Sequence, residues 1–355
     1  MIKNNPVRPE IQTLQGYTPG EQPDADRPLI KLNTNENPFP PPTVVLEALK
    51  KAVNQSLRLY PEPSSRPVRE AAGRAYGLHP DQVIVGNGSD DLLTMILRTF
   101  IDPGEVVAAP APTYSLYETL TKIQGGTYLN IPWPEDFSLP VKALVQTQAK
   151  VVFVVRPNAP TGHVVPLEQV ADLCSQAPGM VILDEAYVDF AEDDGLPLLA
   201  DFDNLIITRT FSKSLALAGL RVGLGFMAPS IATQMHKVRD SYNLDRLSQA
   251  GAVAALDHLS AFKPGIAAIK VQRQRLTEAL NQRGFTVNES QANFVLASVP
   301  TPGRSGQGWL EALRAQGCLV RYFGSDPLLA DKIRITIGTK EEIDRFIQAV
   351  DLLLE

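Results

Sequence analysis

An α/β protein, with a large domain on a seven-stranded, mostly parallel sheet and a smaller α+β domain after it, is expected from three features of this sequence. Between residues 83 and 226 one theme recurs: a short run rich in Val, Ile and Leu, then small or polar residues, then a helical pattern. Near-continuous apolar runs suit strands buried on both faces, which means a mostly parallel sheet with helices on each side. After residue 245 the texture changes to longer helical stretches followed by a few strands.

The elements follow in order. Residues 1–40 are rich in Pro and Asn and lead into Pro38-Phe39-Pro40-Pro41-Pro42, which no helix interior tolerates. They predict an extended arm packed on the small domain or on a partner subunit. The large domain is expected over 41–245, with strands at 83–85, 106–109, 127–131, 151–155, 180–183, 205–208 and 222–226. The small domain is expected over 246–355. There Ile333, Ile335 and Ile337 alternate with Arg334 and Thr336, so one strand face is apolar and the other presents Arg334. Thr339 and Glu342 form a capping-box pattern ahead of the helical stripe Ile343, Phe346, Ile347, Val350 and Leu354.

Composition removes several function classes. The 355 residues are 44% hydrophobic and carry a net charge of -6, which is not the footprint of a nucleic-acid or anionic-membrane binder. Arg221 interrupts the most apolar stretch, 215–226, short of the roughly 18 residues of a membrane span. The N-terminal residues lack the hydrophobic region of a secretory signal, so a cytoplasmic protein is expected. The 2 cysteines, Cys174 and Cys318, read as buried free thiols, and the 4 histidines show no metal-ligand spacing.

In parallel sheets ligands collect beyond the carboxyl ends of the strands, so chemistry is sought there. The first strand runs into Gly86-Asn87-Gly88-Ser89-Asp90-Asp91 ahead of an apolar helix. Close backbone approach, a hydroxyl and free helix N–H groups suit a phosphate, though the same residues also read as a capped turn. The run at 180–183 ends in Asp184-Glu185-Ala186-Tyr187. A carboxylate buried there needs a cation or donors, such as a protonated pyridine nitrogen or a structural ion-pair partner. The run at 205–208 leads to Ser212-Lys213-Ser214 and then Ala218-Gly219-Leu220-Arg221. A desolvated Lys213 that is neutral near pH 7 needs a drop of about 3 units from about 10.4, or roughly 4 kcal/mol. Imine formation with a carbonyl cofactor is the usual reason for such a lysine, and Arg221 is placed to clamp a phosphate.

These motifs, with Pro160-Thr161-Gly162, resemble fold-type I pyridoxal-phosphate aminotransferases over nearly the whole chain. Leu32-Asn33-Thr34-Asn35-Glu36-Asn37-Pro38, Arg58-Leu59-Tyr60-Pro61-Glu62 and Arg334-Ile335-Thr336-Ile337-Gly338-Thr339 are most similar to the histidinol-phosphate aminotransferase family within them. The resemblance implies pyridoxal 5'-phosphate held as a Schiff base on Lys213, which also moves the substrate proton. It implies Asp184 on the pyridine nitrogen, Tyr187 at the ring 3'-oxygen, either with Asn158 standing in after a local chain shift for the asparagine replaced by Ala159 or alone, and Tyr114 stacked on the ring. Gly88, Ser89, Asp90, Ser212 and Arg221 would surround the phosphate, joined by Tyr60 from the neighbouring subunit of a homodimer with shared active sites. Tyr17, Asn35, Arg321 and Arg334 would bind the amino donor and the 2-oxo acid. Taken alone, Tyr114 and Tyr60 also read as core or interface aromatics, and Arg321 as a solvated strand-end charge. The sequence departs from the family at Ala159, where an asparagine is usual, at Arg156 and at Asp91.

The expected reaction is transamination of histidinol phosphate with 2-oxoglutarate. Its variants are an aromatic amino-acid aminotransferase and a decarboxylase like those acting on threonine phosphate. A nucleotide-binding protein is disfavoured because the Gly-x-Gly loop lacks a following Gly-Lys-Ser/Thr. A non-catalytic DNA-binding regulator would need a basic module that is absent.

Overall fold

A computed structural model describes residues 6–23 and 29–355. After the short strand β1 (Ile30–Lys31), seven strands form the large sheet: β2 (Val83–Gly86), β3 (Val106–Ala111), β4 (Thr127–Pro132), β5 (Val151–Val155), β6 (Met180–Asp184), β7 (Leu205–Thr210) and β8 (Gly223–Phe226). Their order is β2-β8-β7-β6-β5-β3-β4. All pairings are parallel except those of β8, which runs antiparallel to both β2 and β7. Because β8 returns directly beside β7, the loop between them stays at the carboxyl end of β7. That topology holds Ser212, Lys213 and Arg221 together at the edge where ligands collect.

The sheet is buried on both faces, as its unbroken apolar runs require. Val85, Val152, Val154 and Val181 pack on one side, and Ile84, Val107, Phe153 and Ile182 on the other. The period of two has a chemical consequence at the end of β6: Asp184 and Glu185 leave the strand toward opposite sides. Glu185 meets Arg209, whose Nε and Nη2 lie 3.0 and 2.8 Å from Oε2, and takes the Gly195 amide at 2.6 Å on Oε1. The two side chains are 0% and 7% exposed, so Glu185 is a structural ion-pair partner. Removing one partner of a buried pair strands the other charge. Arg209→Leu is therefore expected to cost about 3–5 kcal/mol in urea unfolding, whereas Arg209→Met with Glu185→Gln should cost less.

The remaining strands are β9 (Thr286–Val287), β10 (Phe294–Ser298), β11 (Cys318–Leu319), β12 (Arg321–Tyr322) and β13 (Lys332–Thr336). An antiparallel sheet of order β12-β13-β10-β9 carries the C-terminal core, with Ile333, Ile335 and Ile337 fully buried. The helix Lys340–Leu354 starts at the capping box of Thr339 and Glu342 and buries Ile343, Phe346 and Val350 against that core. In the N-terminal region β1 pairs in parallel with β11, so residues 30–32 are tied to the C-terminal part of the chain, and Pro9–Thr13 form one helical turn. Cys174 and Cys318 are buried and free. No helix among the described residues is long and apolar enough to cross a membrane.

Candidate active site

A cavity of about 1110 Å³ opens beyond the carboxyl ends of β6 and β7. That exceeds the roughly 300–1,000 Å³ typical of one drug-sized ligand. The large sheet supplies Asp184, Lys213 and Arg221 to its wall, the N-terminal segment Tyr17 and Asn35, and the C-terminal sheet Arg321 and Arg334.

One corner gathers groups that suit an anion. Gly88 has φ +88°, and a Cβ there would lie 2.6 Å from Arg221 Nη2, so only glycine lets the guanidinium this close. Ser89 opens the helix Ser89–Phe100, whose first N–H groups are free of helical partners. Arg221 Nη1 donates to Ser212 Oγ at 3.2 Å, and Nη2 sits 3.4 Å from Asp90 Oδ2. Asp91, the unusual residue after Ser-Asp, pins the loop by accepting from the Asn87 amide at 2.8 Å and from Asn243 at 3.1 Å.

Lys213 and Asp184 face the same cavity. Lys213 Nζ donates to the Thr34 carbonyl at 3.2 Å, and burial, reinforced by the Arg334 cation, pulls the amine down to about 8. The drop is smaller than the sequence led one to expect, because the Glu36 and Asp90 carboxylates oppose it. Asp184 is 4% exposed, and burial raises its carboxyl. Its Oδ2 accepts from the Tyr117 hydroxyl at 2.6 Å and its Oδ1 from the Ala186 amide at 3.2 Å.

Tyr187 stands beside them, with its ring centroid 5.9 Å from Lys213 Nζ. Asn35 Nδ2 donates to the Tyr187 hydroxyl oxygen at 3.0 Å, which leaves the phenol proton free to point into the cavity. Asn35 in turn accepts from Thr336 at 3.0 Å, so its amide serves Tyr187 and the C-terminal sheet, not a substrate alone. Asn158 lies behind the cavity wall. Its side chain is fully buried, donates to the Pro112 carbonyl and Thr161, and forms no part of the cavity wall; Ala159 occupies that place. The amide needed a local chain shift to reach the cavity, and the hydrogen bonds to residues 112 and 161 hold it behind the wall. Arg156 is likewise structural, bonded to the Val165 carbonyl and Asp193.

Tyr114 lines the cavity, donates to Asp90 Oδ1 at 3.3 Å, and meets the ring of Tyr17 edge-on at 5.8 Å. Arg321 and Arg334 are direct cross-strand partners on β12 and β13, so both project from one face into the cavity. Arg334 Nη2 donates to the Asn33 carbonyl at 3.1 Å, its guanidinium lies 5.1 Å from the Phe294 ring centroid, and its buried Nε has no hydrogen-bond partner among the described residues. Arg321 donates to the Thr18 and Pro19 carbonyls, which tethers the segment bearing Tyr17. Tyr60 is 77% exposed, stacked on Tyr242 with centroids 4.5 Å apart, and outside the cavity of its own chain.

Residues 27–350 match the family described as aminotransferase class I and II. The chain belongs to this family. Among curated proteins, the aminotransferase is 44% identical over 349 residues to a histidinol-phosphate aminotransferase of Microcystis aeruginosa, covering 98% of this chain and 99% of that one. It is also 44% identical over 344 residues to the Synechocystis protein of the same name, covering 97% of each. Among solved structures it is similar to the histidinol-phosphate aminotransferase of Sinorhizobium meliloti in complex with pyridoxal-5'-phosphate. That match has a TM-score of 0.87 and 27% identity, over 99% of this chain and 98% of that one. A Thermus thermophilus aspartate aminotransferase with maleate, at 20% identity, shares the fold with a TM-score of 0.85 over 99% and 100% of the two chains.

Two residues at or behind the cavity wall escaped the sequence reading. Tyr117 lies on the first turn of the helix Leu116–Gln124, where a tyrosine three residues after Tyr114 reads as ordinary core. Glu36 lines the cavity, paired with Lys31 at 2.6 Å and accepting from Thr34. Its place inside the Asn-Glu-Asn-Pro arm was the available signal.

Proposed function

We propose that this chain is a pyridoxal 5'-phosphate-dependent transaminase that exchanges the amino group between histidinol phosphate and 2-oxoglutarate, a step of histidine biosynthesis. The observation that carries the reading is the shared cavity in which Lys213 and Asp184 lie between the anion corner of Gly88, Ser89 and Arg221 and the arginine pair on β12 and β13. The donor set fits the cofactor. The corner around Arg221 would take its phosphate, the buried Asp184 its ring nitrogen, the Tyr187 phenol proton its 3'-oxygen, and the Lys213 amine its aldehyde. When bound, the cofactor supplies the electron sink that withdraws charge from the substrate carbon.

The protein's own groups do the rest. Gly88, Ser89, Asp90, Ser212 and Arg221 bind and orient the phosphate end. Asp184 provides a fixed negative charge, and Tyr187, held by Asn35, donates a proton into the cavity. Tyr114 would pack against the face of the bound ring. Lys213 Nζ takes a proton from the substrate α-carbon and returns it to the adjacent position, which requires the amine to cycle between neutral and charged near working pH. Arg334 and Arg321 offer planar forks that suit a carboxylate in one half-reaction and a phosphate monoester in the other, with Tyr17 at the mouth.

The exposed Tyr60, with exposed Leu57 and Leu59 beside it, supports a homodimer in which Tyr60 completes the partner's phosphate site. Free buried cysteines support a cytoplasmic location.

A substrate panel tests the assignment: histidinol phosphate, phenylalanine and tyrosine, each with 2-oxoglutarate. Histidinol phosphate should give the highest kcat/KM, and equal or better turnover of phenylalanine would overturn the substrate but leave the reaction class standing. The pH dependence of cofactor attachment gives a second check. Only the neutral amine attacks an aldehyde, and a base with a lowered pKa becomes neutral at lower pH. In stopped-flow mixing of cofactor-free protein with pyridoxal phosphate, the rate should rise with pH and level off above about 8. A rise that continues to the range of an ordinary lysine, about 10.4, would contradict a desolvated Lys213.

A further inference from the structure

We propose that Tyr117 is a positioning residue of the reaction, which fixes through its hydroxyl which oxygen of Asp184 is presented to the cofactor's ring nitrogen. The inference rests on the transaminase reading above and adds a residue that lies outside the cavity wall and cannot itself touch a ligand there.

Three observations support it. First, the Tyr117 hydroxyl donates to Asp184 Oδ2 at 2.6 Å, the short range of a hydrogen bond to an ionised acceptor. Asp184 Oδ1 receives the longer 3.2 Å bond from the Ala186 amide, so Oδ1 is the less tightly held oxygen and the one offered to a group in the cavity. Second, the Tyr117 ring is locked. It is fully buried, stacks on Phe153 of β5 with centroids 4.2 Å apart and planes 1° from parallel, and meets Tyr114 edge-on at 5.5 Å. A ring held on these sides delivers its hydroxyl to one point, and Asp184 cannot rotate without losing that bond. Third, the chemistry of the pair is one-directional. Burial pushes the Tyr117 phenol well above its ordinary range, with Asp184 adding to the rise, so Tyr117 stays a donor wherever the enzyme works. Burial raises the Asp184 carboxyl, and the bond from Tyr117 is the largest influence opposing that rise. Tyr117 thus favours the charged form of an acid whose burial favours the neutral one, and a charged acid is what a protonated ring nitrogen needs.

The test separates this role from mere packing. Tyr117→Phe keeps the ring and its stacking and removes only the donor. Cofactor-free full-length wild type and Tyr117→Phe are titrated by absorbance with pyridoxal phosphate and with its 1-deaza analogue, which keeps the aldehyde and phosphate but has carbon in place of the ring nitrogen. Tyr117→Phe should weaken pyridoxal phosphate by about tenfold, the scale of one charge-assisted hydrogen bond, and the deaza analogue by less than about threefold. Equal weakening of both ligands would make Tyr117 purely structural and overturn the proposal. So would unchanged affinity for pyridoxal phosphate. A wild type that binds neither ligand would overturn the transaminase reading itself, and this inference with it.

Discussion

Lys213→Ala should lower kcat for transamination by about 10⁴-fold while the protein still binds pyridoxal phosphate. The reason is local. On the proposed reading Lys213 is the general base in the cavity it shares with Asp184, Arg221 and Arg334, and a pKa of about 8 lets it both accept and release a proton near neutral pH. A positioned general base contributes about 10²–10⁴-fold, and the upper end applies because the same amine serves both proton transfers. Binding survives because Gly88, Ser89, Ser212 and Arg221 do not depend on the amine for their geometry. Partial rescue by added ethylamine, measured as a rate linear in amine concentration, checks that a proton carrier was lost and not the fold.

Asp184→Ala has the next largest expected effect, a fall of about 10³-fold in kcat with weaker cofactor binding. On the proposed reading Asp184, buried at the end of β6 where water screens little, supplies a fixed negative charge, and preorganised charge of this kind is worth about 10²–10³-fold or more per group. The variant also leaves the Tyr117 hydroxyl buried without its acceptor, which adds a stability cost of about 1–3 kcal/mol. Single-turnover rates at saturating cofactor separate the two, since they remove binding from the comparison. A kcat within about tenfold of wild type would show that the acid is not the counter-charge.

The large sheet was legible because strands buried on both faces need unbroken apolar runs, and the residues ending those runs fall at the edge where ligands collect. Hence Asp184, Lys213 and Arg221 could be singled out together from position and type, and they line one cavity. What stayed illegible is what depends on orientation or on distant partners. Nothing near Asn158 says that residues 112 and 161 will hold its amide away from the cavity. Asn35 and Tyr187 meet across 152 positions, a contact set by β1 docking beside β11 and not by any local pattern. Tyr117 looked like core because it is core; only the carboxyl end of a neighbouring strand gives its hydroxyl a task. Arg321 was ambiguous until its cross-strand pairing with Arg334 put both on one face.

Borohydride reduction of the protein loaded with pyridoxal phosphate, followed by peptide mass spectrometry, tests the central claim most directly. A phosphopyridoxyl group on Lys213, absent from the Lys213→Ala protein, is the predicted result. Modification concentrated on other lysines, with Lys213 recovered unmodified, would contradict it.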